Sequence, residues 1–308
     1  MHPAINAFDV IRAIPTARRF DIGDLQFARF SCPPQDGTVC LWAQTDHLIH
    51  VLTGESTWKT ATRTWKVAAG ETVFFKKGAS LSPPHADPGL CLLVFFIPDA
   101  FVRETVRELS ADLPPITEPP EAREPVIRVH GDMAVTAFIH AMTDYFAAPE
   151  DAPKPLLRLK LKELVTSILT GPSNGALSAY FRWLASQSAP PIAPIMEANF
   201  RHNLPLGTFA QLCHRSLSSF KREFRRHYGT TPGRWLVERR LECAAGLLRA
   251  TRLSVTEIGF ESGFEDAAHF SRAFKRKFGR SPRAYREAGE MSAGQPAVSG
   301  AAAPTFPA

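Results

Sequence analysis

Apolar positions along this chain change their spacing twice. Between residues 25 and 97 they come in short runs rich in β-branched and aromatic side chains: "HLIHVLTG" (47–54), "STWKT" (56–60), "TVFFKKG" (72–78) and "LCLLVFFI" (90–97). Gly54, Gly70, Gly78 and Pro83-Pro84 punctuate these runs, which predict the strands of a small antiparallel barrel or sandwich. From Asp99 the spacing becomes three and four. "DAFVRETVREL" (99–109), "DMAVTAFIHAMTDYF" (132–146) and "PLLRLKLKELVTSIL" (155–169) predict helices, the last with a stripe of Leu157, Leu161, Leu164 and Ile168 expected to face a core. "GPSNG" (171–175) ends that stretch and a further helix covers 176–187. "SAPPIAP" (188–194) reads as a linker, and residues 195–287 read as nearly all helical. The tail, 288–308, is rich in Ala, Pro, Gly and Ser and is expected to be disordered.

The helical part repeats itself. "SLSSFKREFRRHYGTTP" (216–232) returns fifty positions later as "DAAHFSRAFKRKFGRSP" (266–282). In the first copy Leu217, Phe220, Phe224 and Tyr228 share one side of a helix; Ser218, Ser219, Lys221, Arg222, Arg225 and Arg226 lie on or beside the other. In the second copy Phe270, Phe274 and Phe278 make the apolar stripe, opposite Ala268, His269, Arg272, Lys275 and Arg276. A shorter helix precedes each copy, "LGTFAQLC" (206–213) and "VTEIGFESG" (255–263), the second opened by a Ser254/Glu257 capping box. Ala210 and Gly259 are small where two helices must cross closely. A short helix, a tight turn and a basic helix predict helix-turn-helix units at 206–228 and 255–278, whose second helices enter the DNA major groove. Thr231-Pro232 and Ser281-Pro282 then supply N-cap and first position of the next helices.

The segment between the units, "GRWLVERRLECAAGLLRA" (233–250), predicts a helix buried through Trp235, Leu236, Leu241, Ala245 and Leu248. About sixteen residues at roughly 1.5 Å each make a rod of about 24 Å. With the width of the flanking helices, the two readers would lie about 34 Å apart, one turn of duplex.

Charge sharpens this division. The chain carries +6 overall, but residues 190–286 carry +10 and the remainder −4. A basic module joined to a mildly acidic one points to a polyanion partner for the basic half. The five cysteines, Cys32, Cys40, Cys91, Cys213 and Cys243, are odd in number and form no CxxC pair, which fits reduced cytoplasmic thiols better than a disulfide framework or a zinc site. No apolar run reaches membrane-spanning length and the first residues lack the pattern of a signal peptide.

Residues 195–286 resemble the DNA-binding domain of the AraC/XylS transcription regulators. "LSVTEIGFESGFEDAAHFSRAFKRKFGRSPRAYR" (253–286) is similar to that family's C-terminal signature, and "RRLECAAGLL" (239–248) to its connecting helix. The resemblance implies base contacts from Ser218, Lys221, Arg222 and Arg225 in the first unit and from Ala267, Ala268, His269 and Arg272 in the second. Ala267 and Ala268 depart from the polar residues often found there and suit thymine methyl groups or looser readout. "DHLIHVLTGESTWKTATRTWKVAAGETVFFKKG" is similar to the cupin-like sensor barrels fused to this domain, and "FFKKG" with "LSSFKREF" resembles the ExsA-like branch. The implied protein is α+β with two domains: a cupin-like antiparallel β-barrel plus helices over 1–187, used for regulation or dimerisation, and an all-α DNA-binding domain over 195–287. It implies a cytoplasmic activator that binds promoter DNA and works with RNA polymerase. Control by a small-molecule effector, by self-association as a homodimer, or by a regulatory protein stays open.

Lys275, Arg225, Arg226 and Arg276 suit phosphates better than bases, and Arg239 and Arg240 suit helix surface or phosphate. His202, His214 and His227 read as ordinary surface histidines. Lys76 and Lys77 read as a strand end and turn. His47, His50 and His85 raise a metal-dependent cupin enzyme, but His47 and His50 are three apart and point to opposite faces of a strand, and no carboxylate stands at a convincing ligand position. No nucleophile elbow, phosphate loop or paired-carboxylate motif occurs, so the sequence implies neither enzyme nor cofactor.

Overall fold

The computed structural model describes residues 4–32, 36–60, 63–84, 89–110, 113, 124–187 and 190–293. The chain divides into two compact units, Met1–Gly233 and Arg234–Ala308. The first unit begins with β1 (Ala4–Asn6), α1 (Ala7–Ala13), β2 (Arg18–Ile22), β3 (Leu25–Ser31), β4 (Val39–Ala43), β5 (Asp46–Thr53), β6 (Glu55–Lys59), β7 (Thr64–Ala68), β8 (Thr72–Phe75), β9 (Gly78–Ser82), β10 (Cys91–Ile97), α2 (Asp99–Glu108) and β11 (Val126–Val129). It continues with α3 (Met133–Ala147), α4 (Lys154–Thr170), α5 (Gly175–Ser186), α6 (Ile192–Asn199), α7 (Leu206–Leu212) and α8 (Leu217–Tyr228). Next come α9 (Pro232–Ala250), α10 (Val255–Glu261), α11 (Ala267–Phe278) and α12 (Pro282–Ala293), so the division between units falls at the start of α9.

The strands make two sheets, ordered β1-β4-β9-β6-β7 and β11-β8-β5-β10-β3-β2. All pairings are antiparallel except β1 with β4. This corrects the expected closed barrel: the sheets are open and separate. The reason lies at "TVFFKKG", which is not one strand. It breaks after Phe75, and Lys76-Lys77 carry the chain from β8 in one sheet to β9 in the other.

The six-stranded sheet is the middle of three layers. Along β10 and its neighbours, Leu48, Phe74, Leu93, Phe95 and Ile97 face a core shared with α3, α4 and α5. The alternate residues Ile49, Val73, Leu92, Val94 and Phe96 face the other sheet. A strand buried on both faces has no polar side, which is why "LCLLVFFI" reads as an unbroken apolar run. Leu157, Leu161, Leu164 and Ile168 are all buried against this sheet, as the stripe predicts.

The Lys76-Lys77 connection is anchored by a buried ionic knot. Lys77 Nζ pairs with Asp99 at the start of α2 and lies 4.0 Å from Asp46 at the start of β5. Asp46 accepts from the Lys77 backbone N–H at 2.7 Å and from the Tyr180 hydroxyl of α5 at 2.7 Å. All four residues are buried. Burial raises the Asp46 carboxyl above its ordinary range, against the pull of Lys77. Lys76 instead lies over the Tyr180 ring, 4.8 Å from its centroid.

Two boundaries differ from expectation. α6 starts at Ile192, inside the stretch read as linker, of which residues 188–189 lie outside the described part. α12 runs to Ala293, past the point where the tail was expected to begin; residues 294–308 lie outside the described part. Lys77→Ala removes the ammonium from two buried carboxylates and leaves Asp99 only Arg103, at 3.5 Å, so it is expected to cost about 3–5 kcal/mol of unfolding free energy, measured by urea titration. A loss below about 1 kcal/mol would show that the knot stabilises nothing.

Candidate nucleic-acid interface

Each recognition helix starts and stops by the same devices. Ser216 caps α8, its side chain accepting from the Ser219 N–H at 3.3 Å. Asp266 caps α11 by accepting from Ala268 N–H at 3.1 Å and His269 N–H at 2.8 Å, and these bonds hold its carboxyl below the usual range. Gly229 and Gly279 end the two helices in the left-handed region, φ 67° and 73°, where a side chain would be strained. The capping box of α10 is present, with Ser254 N–H to Glu257 at 2.7 Å and the return bond at 3.1 Å.

The two units are not identical copies. His214, at φ 53°, turns the chain after α7, and Gly263, at φ 94°, does so after α10. Two residues separate His214 from the start of α8, but three separate Gly263 from the start of α11. The second turn is therefore one residue longer. The small residues do their expected work: Ala210 is buried, and a Cβ on Gly259 would sit 3.0 Å from the Phe270 ring.

The faces divide as the pattern requires. Phe220 and Phe224 of α8, and Phe270 and Phe274 of α11, are fully buried. Ring pairs run down each helix, Phe224–Tyr228 at 4.4 Å and Phe274–Phe278 at 4.5 Å between centroids. Ser218, Lys221, Arg222, Arg225 and Arg226 are exposed on the opposite face of α8, with Ser219 partly covered. Ala268, His269, Arg272, Lys275 and Arg276 are exposed on α11, with Ala267 partly covered. His269 keeps one contact, its ring edge-on to Phe264 at 5.7 Å. Leu217 departs from expectation: it is 40% exposed, because the first residue of α8 overhangs the end of the core.

Among the described residues Lys221, Arg225, Arg226, Lys275 and Arg276 form no ion pair, so their charge is available to an external anion. Arg222 only approaches Ser219 Oγ, at 3.5 Å, and Arg272 only approaches Asp266, at 4.0 Å. Lys277 is different: it bonds Glu242 at 2.9 Å and the Glu238 carbonyl at 3.1 Å and points back to α9. On α9, Arg239 lies 3.7 Å from Glu242. Lys221, Arg222, Arg225 and Arg226 also line a concave surface with Thr231, Pro232 and Gly233. Sequence reasoning missed Glu223, a carboxylate on the side of α8 near these cations. Arg215 bonds it at 2.7 Å, which lowers its pKa and offsets its charge; no motif signals that pairing.

Comparison with known proteins bears on both halves. The family model of the ExsA N-terminal regulatory domain matches residues 46–180, and a helix-turn-helix domain model matches residues 209–288. The virulence regulon transcriptional activator VirF of Yersinia enterocolitica is 25% identical over 238 residues, 77% of this chain and 87% of its own. The transcriptional regulator ExsA of Pseudomonas aeruginosa is 24% identical over 239 residues, 77% of this chain and 84% of its own. The structure of ToxT from Vibrio cholerae covers 85% of this chain and 98% of its own, at 14% identity and a TM-score of 0.40.

The chain is similar to AraC/XylS regulators of the ExsA-like branch, through its regulatory-domain match over 46–180 and its helix-turn-helix match over 209–288. It is a DNA-binding transcription activator, and DNA is its partner.

In this regulator the histidines of the sheet region are separated. His47 lies between the Phe75 and Phe96 rings, both 5.3 Å away, and its Nδ1 bonds the Thr45 carbonyl at 3.2 Å. His50 faces the other way and bonds Thr72 Oγ1 at 2.8 Å. Among the described residues no three His, Cys, Asp or Glu are grouped to hold a metal; His85 lies outside them. His202, expected at the surface, is buried. It sits where the chain folds back between α6 and α7, with its N–H on the Asn199 carbonyl at 3.0 Å. Between the two sheets is an apolar cavity of about 310 Å³, bordered by Ile11, Trp42, His47, Trp58, Phe96 and Asn199 among others. All five cysteines are free thiols, and no described helix is long and apolar enough to cross a membrane.

Burial pushes His47 down to about 4 and lowers His50 as well. The unfolded chain, with ordinary histidines near 6.5, then binds more protons than the folded one between those values. The contribution of these groups to stability is complete above about pH 6.5 and is lost as pH falls toward 4. The difference in melting temperature between wild type and His47→Phe is expected to shrink or reverse from pH 7 to pH 4.5. A difference constant across that range would refute the neutral buried histidine.

Proposed function

We propose that this regulator reads an asymmetric promoter site as two half-sites, α8 in one major groove and α11 in the next. The observation that carries the reading is the repeated division of each recognition helix into a buried phenylalanine face and an exposed cationic face. In this reading Arg222 and Arg272 are the shared anchors, set at the same place on both helices and able to take a guanine edge or a phosphate. Ser218, Ser219 and Lys221 on α8, and Ala267, Ala268 and His269 on α11, distinguish the half-sites. Arg225, Arg226, Lys275 and Arg276 hold phosphates and contribute the salt dependence. The one-residue difference in the turns gives each helix its own approach to the groove.

Residues 1–187 act as the regulatory and dimerisation domain, 188–194 as the connection and 195–287 as the DNA-binding domain. The protein is no enzyme; it works in the cytoplasm and brings RNA polymerase to the promoter. Its control passes through the sheet domain, by self-association, by a regulatory protein or by a small effector. The apolar cavity between the sheets supports the small effector, being within the size range of ligand sites.

Arg222→Ala and Arg272→Ala are each expected to weaken binding to a selected site by about 1–3 kcal/mol, measured by fluorescence anisotropy on the full chain. Arg276→Ala is expected to weaken all sequences alike and to lower the slope of log K against log salt by about one. Unchanged affinity in both Arg222→Ala and Arg272→Ala would sink the groove assignment.

A further inference from the structure

We infer that Asn199 is the positioning residue that fastens the first helix-turn-helix to the regulatory sheets, so that the regulatory half acts on DNA through the first reader. The inference rests on the two-reader reading above and adds the physical link between sensor and reader.

The link begins with an incomplete ladder. β9 pairs with β4 along its whole length, but its ladder with β6 has one register pair, Lys59↔Leu81. The Gly78–Ala79 end of β9 therefore lacks a strand on that side, and a buried backbone N–H without an acceptor is costly. Asn199, the last residue of α6, fills the gap. Its Oδ1 accepts from the Ala79 N–H at 2.7 Å, and its Nδ2 donates to the Ile195 carbonyl of its own helix at 2.8 Å. It is 1% exposed. One primary amide thus meets a strand on one side and a helix end on the other.

Gly78 makes the approach possible. It takes φ 147°, a backbone conformation that favours glycine, and a Cβ there would lie 2.8 Å from Asn199 Oδ1. The same strand end follows Lys77, whose ammonium ties β9 to Asp46 and Asp99. Anything that moves the sheets at this corner reaches Asn199 within two residues of chain.

From Asn199 the link to the reader is short and stiff. Six residues connect α6 to α7, folded back through His202 N–H to Asn199 O at 3.0 Å and Leu204 N–H to His202 O at 2.9 Å. Phe200 and Leu204 are buried. Arg215, in the turn between α7 and α8, donates to the Pro190 carbonyl before α6 at 2.8 Å and to Glu223 of α8 at 2.7 Å. Helix α6, the turn and the recognition helix are thereby clamped as one piece, and Asn199 joins that piece to the sheet. Asn199 and Gly78 also border the apolar cavity, so its occupant would press on this joint. The second reader, α10–α11, lies in the other compact unit.

The test uses full-length protein and a duplex that wild type selects from a random-sequence library. Hydroxyl-radical footprints of Arg222→Ala and Arg272→Ala first assign each half-site to its helix. Asn199→Ala is expected to bind about tenfold more weakly, in the range of ordinary coupling between sites, with protection lost over the Arg222 half and kept over the Arg272 half. Leu161→Ala, a core cavity in the regulatory half away from the joint, controls for general destabilisation. It is expected to lower the melting temperature at least as much while leaving the ratio of the two protections unchanged. Equal loss over both halves in Asn199→Ala, the same ratio change in Leu161→Ala, or no loss at all would overturn the inference. If Arg222→Ala and Arg272→Ala fail to mark separate halves, the two-reader reading falls and this inference falls with it.

Discussion

The arrangement of the sheet-bearing unit depends on placing one ammonium group, Lys77, where two buried carboxylates converge. Asp46 begins β5, Asp99 begins α2, and Tyr180 comes from α5 to complete the hydrogen bonding of Asp46. An isolated charge at this depth is costly, so the segments that carry its partners must meet here for any of them to fold. The knot sits where the chain leaves one sheet for the other, and so it fixes the register of the crossing. It also accounts for the open sandwich, because the residues that would otherwise continue β8 are committed to this connection.

Around that point the packing follows simple periodicities. Period two along β10 and β5 sends alternate residues into two cores, one beneath the helices and one between the sheets. The second core is incomplete and leaves a cavity of about 310 Å³ next to the corner where Asn199 meets β9. The buried ionic knot, the glycine at φ 147° and the Asn199 amide therefore meet at one corner of the sheets.

The DNA-binding elements use the opposite strategy. Their interior is a pair of phenylalanine ladders, and their outer charge is mostly left unpaired. Lys277 shows the distinction between neighbours in sequence: Lys275 and Arg276 face outward, while Lys277, one position further round, is tied to α9. Polyanion binding needs cations held on a rigid helix but not already neutralised, and burying one face of α8 and α11 supplies both conditions.

Local period and capping set much of this protein before any long-range contact forms. The helix-turn-helix units, their caps at Ser216, Ser254 and Asp266, their glycine stops and their outward cations are all set by residues within a turn or two of one another. The stripe of α4 and the apolar run of β10 were legible for the same reason. Features that depend on distant partners emerge only from the folded arrangement. The sandwich in place of a barrel, the burial of His202, the overhang of Leu217 and the pairing of Arg215 with Glu223 leave no mark in local spacing. Lys77 with Asp46, Asp99 and Tyr180, and Asn199 with Ala79, join residues from 22 to 134 positions apart. Buried polar groups select partners by desolvation in three dimensions, and that selection exists only once the layers have closed.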